Sequence, residues 1–180
     1  MKLQLEQIVH IKIEAFRLDS TSVKVHPDGT GAVKNGPQAI GKSRGGWSTK
    51  IHLVAADARR VIAFLLSPGN DHNIPAGRAM LEELGAMPKG LAMLMDRAYE
   101  GDETRLLVLD LGMIPVVPPK SNSITSWEYD RALYKKRNEV ERLFRRLKGF
   151  RRIFSRLEKL DVVFFAFLHY ALIVEALMLV

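Results

Sequence analysis

Residues 91–117, LAMLMDRAYEGDETRLLVLDLGMIPVV, contain the pattern that decides the fold. The apolar run at 91–95 predicts a buried strand, residues 102–111 predict a helix, and residues 114–117 predict a second short strand. A helix between two short apolar strands is typical of a parallel pair joined by a right-handed crossover. The segment therefore predicts an α/β protein, with Asp96 directly after the first of these strands.

The segments before residue 91 predict an antiparallel meander. Residues 11–19 predict a first strand, and residues 46–56 and 61–66 predict a hairpin that turns at residues 57–60. Residues 20–45 are rich in Gly, Pro, Lys and Asn, which predicts a mobile loop.

Three further helices, at residues 76–84, 127–148 and 160 onward, complete the order β-β-β-α-β-α-β-α-α. This order predicts an α/β mixed sheet, an antiparallel meander plus parallel strands, flanked by helices. The first strand can lie beside and parallel to the fourth. That arrangement would place Asp19 and Asp96 side by side at the carboxyl ends of their strands, where ligands commonly bind in open α/β sheets.

The helix predicted for residues 127–148 carries a polar stripe beside an apolar one. In YKKRNEVERLFRRLK the stripe consists of Tyr134, Arg137, Glu141 and Lys148. At about 100° per residue, these four side chains project within about 60° of one another. Glu139 points roughly opposite, so the geometry favours Glu141 if one glutamate here is chemically active. A solvated amphipathic helix has the same periodicity, so the stripe alone leaves both interpretations open.

Composition bounds the class of protein. The 180 residues suffice for one well-cored domain, and 47% hydrophobic with 26% charged residues fits a folded soluble protein. The formal net charge of +7 indicates a polyanionic partner, either nucleic acid or an anionic membrane surface. There is no cysteine, so neither a disulfide nor a thiolate metal site can form. This composition suits the cytoplasm.

Residues 160–180 are long enough to cross a bilayer. Asp161, His169 and Glu175 interrupt this stretch, and charges inside a membrane span are costly. A helix that covers one face of a buried sheet would be nearly as apolar. We therefore expect a core helix and no membrane partner.

Residues 36–43, GPQAIGKS, match the phosphate-binding loop pattern G-x-x-x-x-G-K-S. That loop works when a strand leads into it and a helix follows it. Here Arg44, Gly45 and Gly46 follow, which start no helix. We therefore do not expect an ATPase.

Asp19, Asp96 and Glu141 would together form a set of oxygen ligands suited to Mg²⁺ or Mn²⁺. Two such ions about 4 Å apart can activate a water or hydroxyl and stabilise the leaving oxygen of a phosphodiester. Cations for DNA phosphates cluster around Glu141 in the sequence. They are Lys135, Lys136, Arg137, Arg142, Arg145, Arg146, Lys148, Arg151, Arg152 and Arg156.

These residues resemble the catalytic domain of DDE transposases from bacterial insertion sequences. The Y-R-E-K signature of that class is reproduced, with its spacing, by Tyr134, Arg137, Glu141 and Lys148. LDSTSVKVH resembles the segment of the first aspartate, at Asp19, and LMDRAYEGDETR that of the second, at Asp96. GPQAIGKSRGGWSTKIH, SPGNDHNIP, LGAMPKG and IPVVPPK also resemble family segments in the right order, so the resemblance runs from about residue 18 to residue 172.

The resemblance implies an RNase H-like fold in which Asp19, Asp96 and Glu141 bind two Mg²⁺ or Mn²⁺ ions. The implied reaction is cleavage of DNA at transposon ends, followed by joining of the freed 3′-hydroxyl to target DNA. The implied assembly is a homodimer on DNA. The resemblance also implies DNA contacts by Arg97, Tyr134, Arg137, Arg145 and Lys148. For Tyr134, support of the helix is the alternative role.

The domain organisation departs from the family pattern. We expect a single domain, with a lead-in and first strand at residues 1–18 and the catalytic domain at residues 19–180. Relatives usually carry a helical DNA-binding segment before the strand of the first aspartate, and this chain has only about eighteen residues there. An upstream reading frame could supply that segment. The alternatives are a truncated remnant that binds DNA without independent catalysis and, third, a structure-specific nuclease of the same fold.

Overall fold

The computed structural model describes residues 13–30, 36–119 and 126–178. Within these ranges seven strands form one mixed sheet. The strands are β1 (Ala15–Val25), β2 (Gly41–Ser43), β3 (Gly46–Ala55), β4 (Val61–Pro68), β5 (Ala92–Met95), β6 (Ile114–Val116) and β7 (Ser155–Arg156). The α-helices are α1 (Asn73–Leu84), α2 (Asp102–Asp110), α3 (Arg131–Tyr134), α4 (Asn138–Leu147), α5 (Arg151–Phe154) and α6 (Asp161–Leu177).

The sheet confirms the predicted fold class. β1 lies at its centre, antiparallel to β3 on one side and parallel to β5 on the other. β3 pairs antiparallel with β4, which completes the predicted hairpin, and β5 pairs parallel with β6. Three antiparallel strands followed by two parallel ones, with helices on both faces, form the RNase H-like arrangement that the sequence resemblance implied.

Alternation along β1 assigns its side chains to the two faces of the sheet. Phe16 and Leu18 pack in a core cluster with side chains of α1 and α2. Val23 belongs to the opposite cluster, which contains side chains of α4 and α6. Arg17 and Asp19 have the same parity as Val23, so these two charged residues lie on the face that α4 covers.

The prediction that Asp19 ends its strand is wrong, because β1 continues to Val25 while paired with β3. The parallel pairing with β5 nevertheless stops at Leu18 opposite Met95. The predicted loop at 20–45 is also wrong in part, since it contains the end of β1 and the short strand β2. Residues 11–12 of the predicted strand and 31–35 of the predicted loop lie outside the described residues.

The helix predicted for residues 127–148 is shorter and interrupted. It begins only after Asp130, whose carboxylate accepts a hydrogen bond from the Leu133 amide at 2.8 Å and so caps α3. A 3₁₀ turn, Lys135–Arg137, separates α3 from α4. Trp127 lies before the helix, where its indole nitrogen donates to the Val117 carbonyl at 2.8 Å.

Helix α6 confirms the core interpretation of the apolar C-terminal stretch. Phe164, Leu168 and Ala171 are buried against the sheet. Its charged residues have partners, since Asp161 accepts from the buried Arg156 at 2.7 Å and Glu175 from Arg146 at 2.6 Å. Among the helices of the described ranges, none is long and apolar enough to cross a membrane.

His52 lies in β3 and is fully buried. Its Nε2 atom is 2.8 Å from the Ser67 hydroxyl and its Nδ1 atom is 3.2 Å from the Tyr99 hydroxyl. Burial, assisted by the nearby Lys50 charge, lowers the pKa of His52 to about 4. The imidazole is therefore neutral in the folded protein at neutral pH.

This buried histidine should make the fold sensitive to mild acid. Below pH 6.5 the unfolded chain takes up a proton at His52, whereas the folded chain does so only near pH 4. The free energy of unfolding therefore decreases as the pH is lowered from 6.5 to about 4. We expect His52→Gln to lose about 2 kcal/mol less unfolding free energy than the wild type between about pH 7 and pH 5. Urea unfolding at both pH values measures this, with the exposed His26→Gln as control. Equal pH slopes in all three proteins would contradict the prediction.

Candidate active site

The pairing of β1 with β5 brings two aspartates together. The last parallel pair is Leu18 and Met95, so Asp19 and Asp96 follow at the same level. Asp19 is buried inside β1, and Asp96 is half-buried after β5. Both carboxylates lie on the face of the sheet that carries the helical segment with Glu141.

Arg137 joins the three carboxylates. Its Nη1 atom is 2.7 Å from Asp19 Oδ2 and 3.3 Å from Asp96 Oδ2. Its Nη2 atom is 2.6 Å from Glu141 Oε1, one helical turn further along the chain. The structure therefore brings together the three acids predicted from the sequence, with a guanidinium between them.

Asp19 has an unusual electrostatic environment. Burial raises its pKa to about 6, although the Ser20 amide and Arg137 act in the opposite direction and Asp96 and Glu141 add to the rise. The ionised carboxylate lacks the solvation that water would give it. A bound cation can replace that solvation, so this position favours cation binding.

The chemistry of these side chains fits a hard divalent cation. All the donors are carboxylate oxygens, and the Asp19 and Asp96 oxygens already contact one positively charged nitrogen. Across residues 13–30, 36–119 and 126–178, no three Asp, Glu, His or Cys side chains form a ready-made metal cage. In this structure the Arg137 guanidinium lies between the three carboxylates.

Tyr134 supports Arg137. The Tyr134 ring packs edge-on against Tyr129, with ring centres 5.6 Å apart. The Arg137 guanidinium carbon lies 5.7 Å from the centre of the Tyr134 ring. Burial raises the pKa of Tyr134, so its hydroxyl stays neutral.

The other predicted DNA-contacting residues are Arg97, Arg145 and Lys148. Arg97 directly follows Asp96 and is exposed, as is Arg145 on α4. Lys148 follows α4 and is half-buried, and this burial lowers the pKa of its ammonium group. Within the described part of the chain, none of the three makes an ion pair or a hydrogen bond with Asp19, Asp96 or Glu141.

Residues 36–43 do not have the geometry of a phosphate-binding loop. Gly41–Ser43 form β2, which pairs antiparallel with the start of β3. A strand lies where the motif requires a helix, so the sequence match at residues 36–43 does not correspond to that loop.

Arg17 is an important residue that the sequence analysis missed. It is 3% exposed, and its Nη2 atom pairs with Glu139 Oε2 at 2.6 Å. Its Nη1 atom donates to the carbonyl oxygens of Ala15, at 2.7 Å, and Ala56. Arg17 thus ties β1 to the end of β3 and to α4. Glu139, on the opposite side of the helix from Glu141, is a docking residue.

A second missed feature is a buried hydrogen-bond network behind Asp19. The Tyr99 hydroxyl contacts His52 and the Ser20 side chain, and the Ser20 amide donates to Asp19 Oδ1 at 2.7 Å. Gly77 lets Tyr99 approach α1, because a Cβ atom there would lie 2.5 Å from the Tyr99 ring. This network fixes the orientation of the Asp19 carboxylate.

Loss of the Glu139 charge should destabilise the protein. Glu139→Gln leaves the buried Arg17 guanidinium with a weaker partner, so we expect the unfolding free energy to fall by about 1–3 kcal/mol. Chemical denaturation measures the change. The matched control is Glu83→Gln, which changes an exposed residue of α1. If the two variants are equally stable, Arg17 does not dock α4 through Glu139.

Comparison with known proteins identifies the family of this chain. Residues 11–174 match the family model described as "Transposase DDE domain". A relative from Brucella ovis, described as "Putative transposase for insertion sequence element IS6501", is 31% identical over 129 residues, which cover 69% of this chain and 94% of the relative. The chain belongs to the transposase DDE domain family. This confirms the resemblance found in the sequence and connects the chain with DNA transposition.

Two solved structures are also similar. A piggyBac transposase synaptic complex with hairpin DNA matches with a TM-score of 0.41 and 13% identity, over 62% of this chain and 24% of that one. A Mos1 transposase paired-end complex with left transposon end matches with a TM-score of 0.37 and 14% identity, over 79% of this chain and 52% of that one. This chain therefore spans about a quarter of the first and about half of the second.

Proposed function

We propose that this chain is a DDE transposase that cleaves DNA at transposon ends and joins the freed ends to target DNA. One observation carries the proposal: Asp19, Asp96 and Glu141 converge on a single cationic group in a member of the transposase DDE domain family. The three acids come from separate parts of the chain. Their meeting on one face of an RNase H-like sheet, where the β1–β5 pairing ends, supports a shared chemical role.

The proposed cofactor is a pair of Mg²⁺ or Mn²⁺ ions. Asp19 and Asp96 would bind them from the sheet and Glu141 from α4. Bound divalent ions supply the charge that activates the attacking oxygen and stabilises the leaving one. The Ser20 amide donates a hydrogen bond to Asp19 Oδ1 at 2.7 Å, which holds one oxygen of this carboxylate, while Oδ2 contacts Arg137.

The proposed reaction has two steps, DNA cleavage and strand transfer. In cleavage, a water oxygen bonds to phosphorus as the bond to the 3′ oxygen breaks, and that oxygen takes up a proton. In strand transfer, the freed 3′-hydroxyl loses its proton and its oxygen bonds to a target phosphorus, as the bond from that phosphorus to the target 3′ oxygen breaks and this oxygen takes up a proton. Both steps place anionic phosphate next to the carboxylates, which requires nearby cations.

The proposed DNA surface surrounds α4. Arg97 lies beside Asp96, Arg145 is exposed on α4, and Lys148 follows that helix. The formal net charge of +7 suits a polyanionic partner. We further propose a homodimer on DNA, and an upstream DNA-binding segment as a source of end recognition.

Substitution of the proposed metal ligands should abolish cleavage. We expect Asp19→Ala, Asp96→Ala and Glu141→Ala each to reduce Mg²⁺- or Mn²⁺-dependent nicking by more than about a hundredfold, with DNA binding largely retained. The substrate is a plasmid carrying the element's inverted repeats, and Glu83→Ala is the control. Retained cleavage in any one variant would remove that residue from the site. A folded wild type that binds DNA but never cleaves it would favour the remnant interpretation.

Lys148 should contribute through a phosphate contact. We expect Lys148→Ala to weaken duplex binding and to reduce the slope of log affinity against log salt by about one. Fluorescence anisotropy over a range of salt concentrations measures the slope, with the exposed Lys89→Ala as control. An unchanged slope would show that Lys148 makes no phosphate contact.

A further inference from the structure

We infer that Arg137 competes with divalent metal ions for the Asp19 and Asp96 carboxylates, and that metal ions that displace it free it for a DNA phosphate. This inference rests on the proposed function, because it takes Asp19, Asp96 and Glu141 to be metal ligands. It adds that metal and DNA binding are coupled through one side chain.

The strongest observation is that Arg137 contacts the oxygens that a metal would need. Asp19 Oδ1 already accepts from the Ser20 amide at 2.7 Å, and Asp96 Oδ1 from the Ala98 amide at 2.9 Å. The other oxygen of each carboxylate, Oδ2, is the one that contacts Arg137 Nη1. The guanidinium and a divalent ion would therefore compete for the same two atoms.

Charge makes this competition nearly exclusive. A divalent cation and a guanidinium held by the same carboxylates would repel each other in a partly buried site. An arginine guanidinium stays protonated in proteins, so this side chain keeps its positive charge beside the carboxylates. Arg137 therefore cannot leave the carboxylates by losing its proton, and its side chain has to change position when a metal ion binds.

The backbone and neighbours of Arg137 suit such a movement. Arg137 ends the 3₁₀ turn Lys135–Arg137, at the junction between α3 and α4. A 3₁₀ stretch within a longer helical segment is a common position for a functional hinge. The Glu141 side chain is exposed, so the guanidinium can leave the site toward solvent, where DNA would lie.

A displaced guanidinium is a strong ligand for phosphate. Its planar arrangement of donors matches two phosphate oxygens, and the pair is charge-assisted. DNA that binds Arg137 also removes the competitor for the carboxylates. Since coupling between two binding sites is reciprocal, DNA should then strengthen metal binding as metal strengthens DNA binding.

The first test measures Mn²⁺ affinity without DNA, by electron paramagnetic resonance of the free ion. We expect Arg137→Gln to bind Mn²⁺ about tenfold more tightly than the wild type, because no guanidinium has to be displaced. Arg97→Gln is the matched control, because it removes a positive charge adjacent in sequence to Asp96. An unchanged or weaker affinity in Arg137→Gln, or an equal gain in Arg97→Gln, would overturn the inference.

Arg137→Lys provides a second variant that preserves the charge. A single ammonium group cannot contact three carboxylates as the two terminal nitrogens of Arg137 do. We expect its Mn²⁺ affinity to lie between those of the wild type and Arg137→Gln. Circular dichroism verifies that each variant is folded, and an affinity for Arg137→Lys no higher than that of the wild type would count against displacement.

The same assay separates this inference from the proposed function. Asp96→Asn should lose most of its Mn²⁺ binding if Asp96 is a metal ligand. If Asp96→Asn binds Mn²⁺ as well as the wild type, the proposed metal site fails. If Asp96→Asn loses binding while Arg137→Gln gains none, the metal site stands and only the exchange of Arg137 fails.

The second test measures the coupling. Fluorescence anisotropy gives the affinity for a short DNA duplex with EDTA and again with Mn²⁺. We expect Mn²⁺ to strengthen duplex binding by a larger factor in the wild type than in Arg137→Gln, because only the wild type gains a freed arginine. Equal factors in the two proteins would show that Arg137 does not transmit metal binding to DNA.

Discussion

The structure depends on the parallel register of β1 against β5. Leu18 opposite Met95 ends that pairing, and this single alignment sets Asp19 beside Asp96. Two close carboxylates repel each other, so a cation is needed between them. In this structure that cation is Arg137, which a 3₁₀ turn before α4 places against the face of the sheet. The fold thus creates a site of high negative charge and fills it with its own guanidinium.

A second ion pair fixes the helix that delivers Glu141. Arg17 lies two residues before Asp19 on the same face of β1, and its buried guanidinium pairs with the half-buried Glu139. Because Glu139 and Glu141 are close in sequence but lie on different sides of α4, one can dock the helix while the other faces the aspartates. Packing, docking and the proposed chemistry therefore use neighbouring residues of one short segment.

Much of the fold could be predicted from the sequence, because the periodicity of apolar residues and the glycines and prolines at turns are local signals. The predictions of the strand that contains Leu94, of the β3–β4 hairpin and of the core position of α6 were correct. The predicted end of β1 was wrong. The polar residues from Ser20 onward resemble a loop in sequence, but pairing with β3 keeps them in the strand. Arg17 was missed for a similar reason. Only tertiary contacts reveal that its charge is buried and paired, and neither the salt bridge to Glu139 nor the bond to Ala56 leaves a local pattern.

We propose that Asp19, Asp96 and Glu141 form a divalent metal centre from which Arg137 withdraws. Anomalous X-ray diffraction from crystals soaked in Mn²⁺ tests it most directly. We predict an anomalous peak in contact with the Asp19 and Asp96 carboxylates and a guanidinium turned away from them. Mn²⁺ bound elsewhere at saturation, with Arg137 still joining the three carboxylates, would contradict the claim.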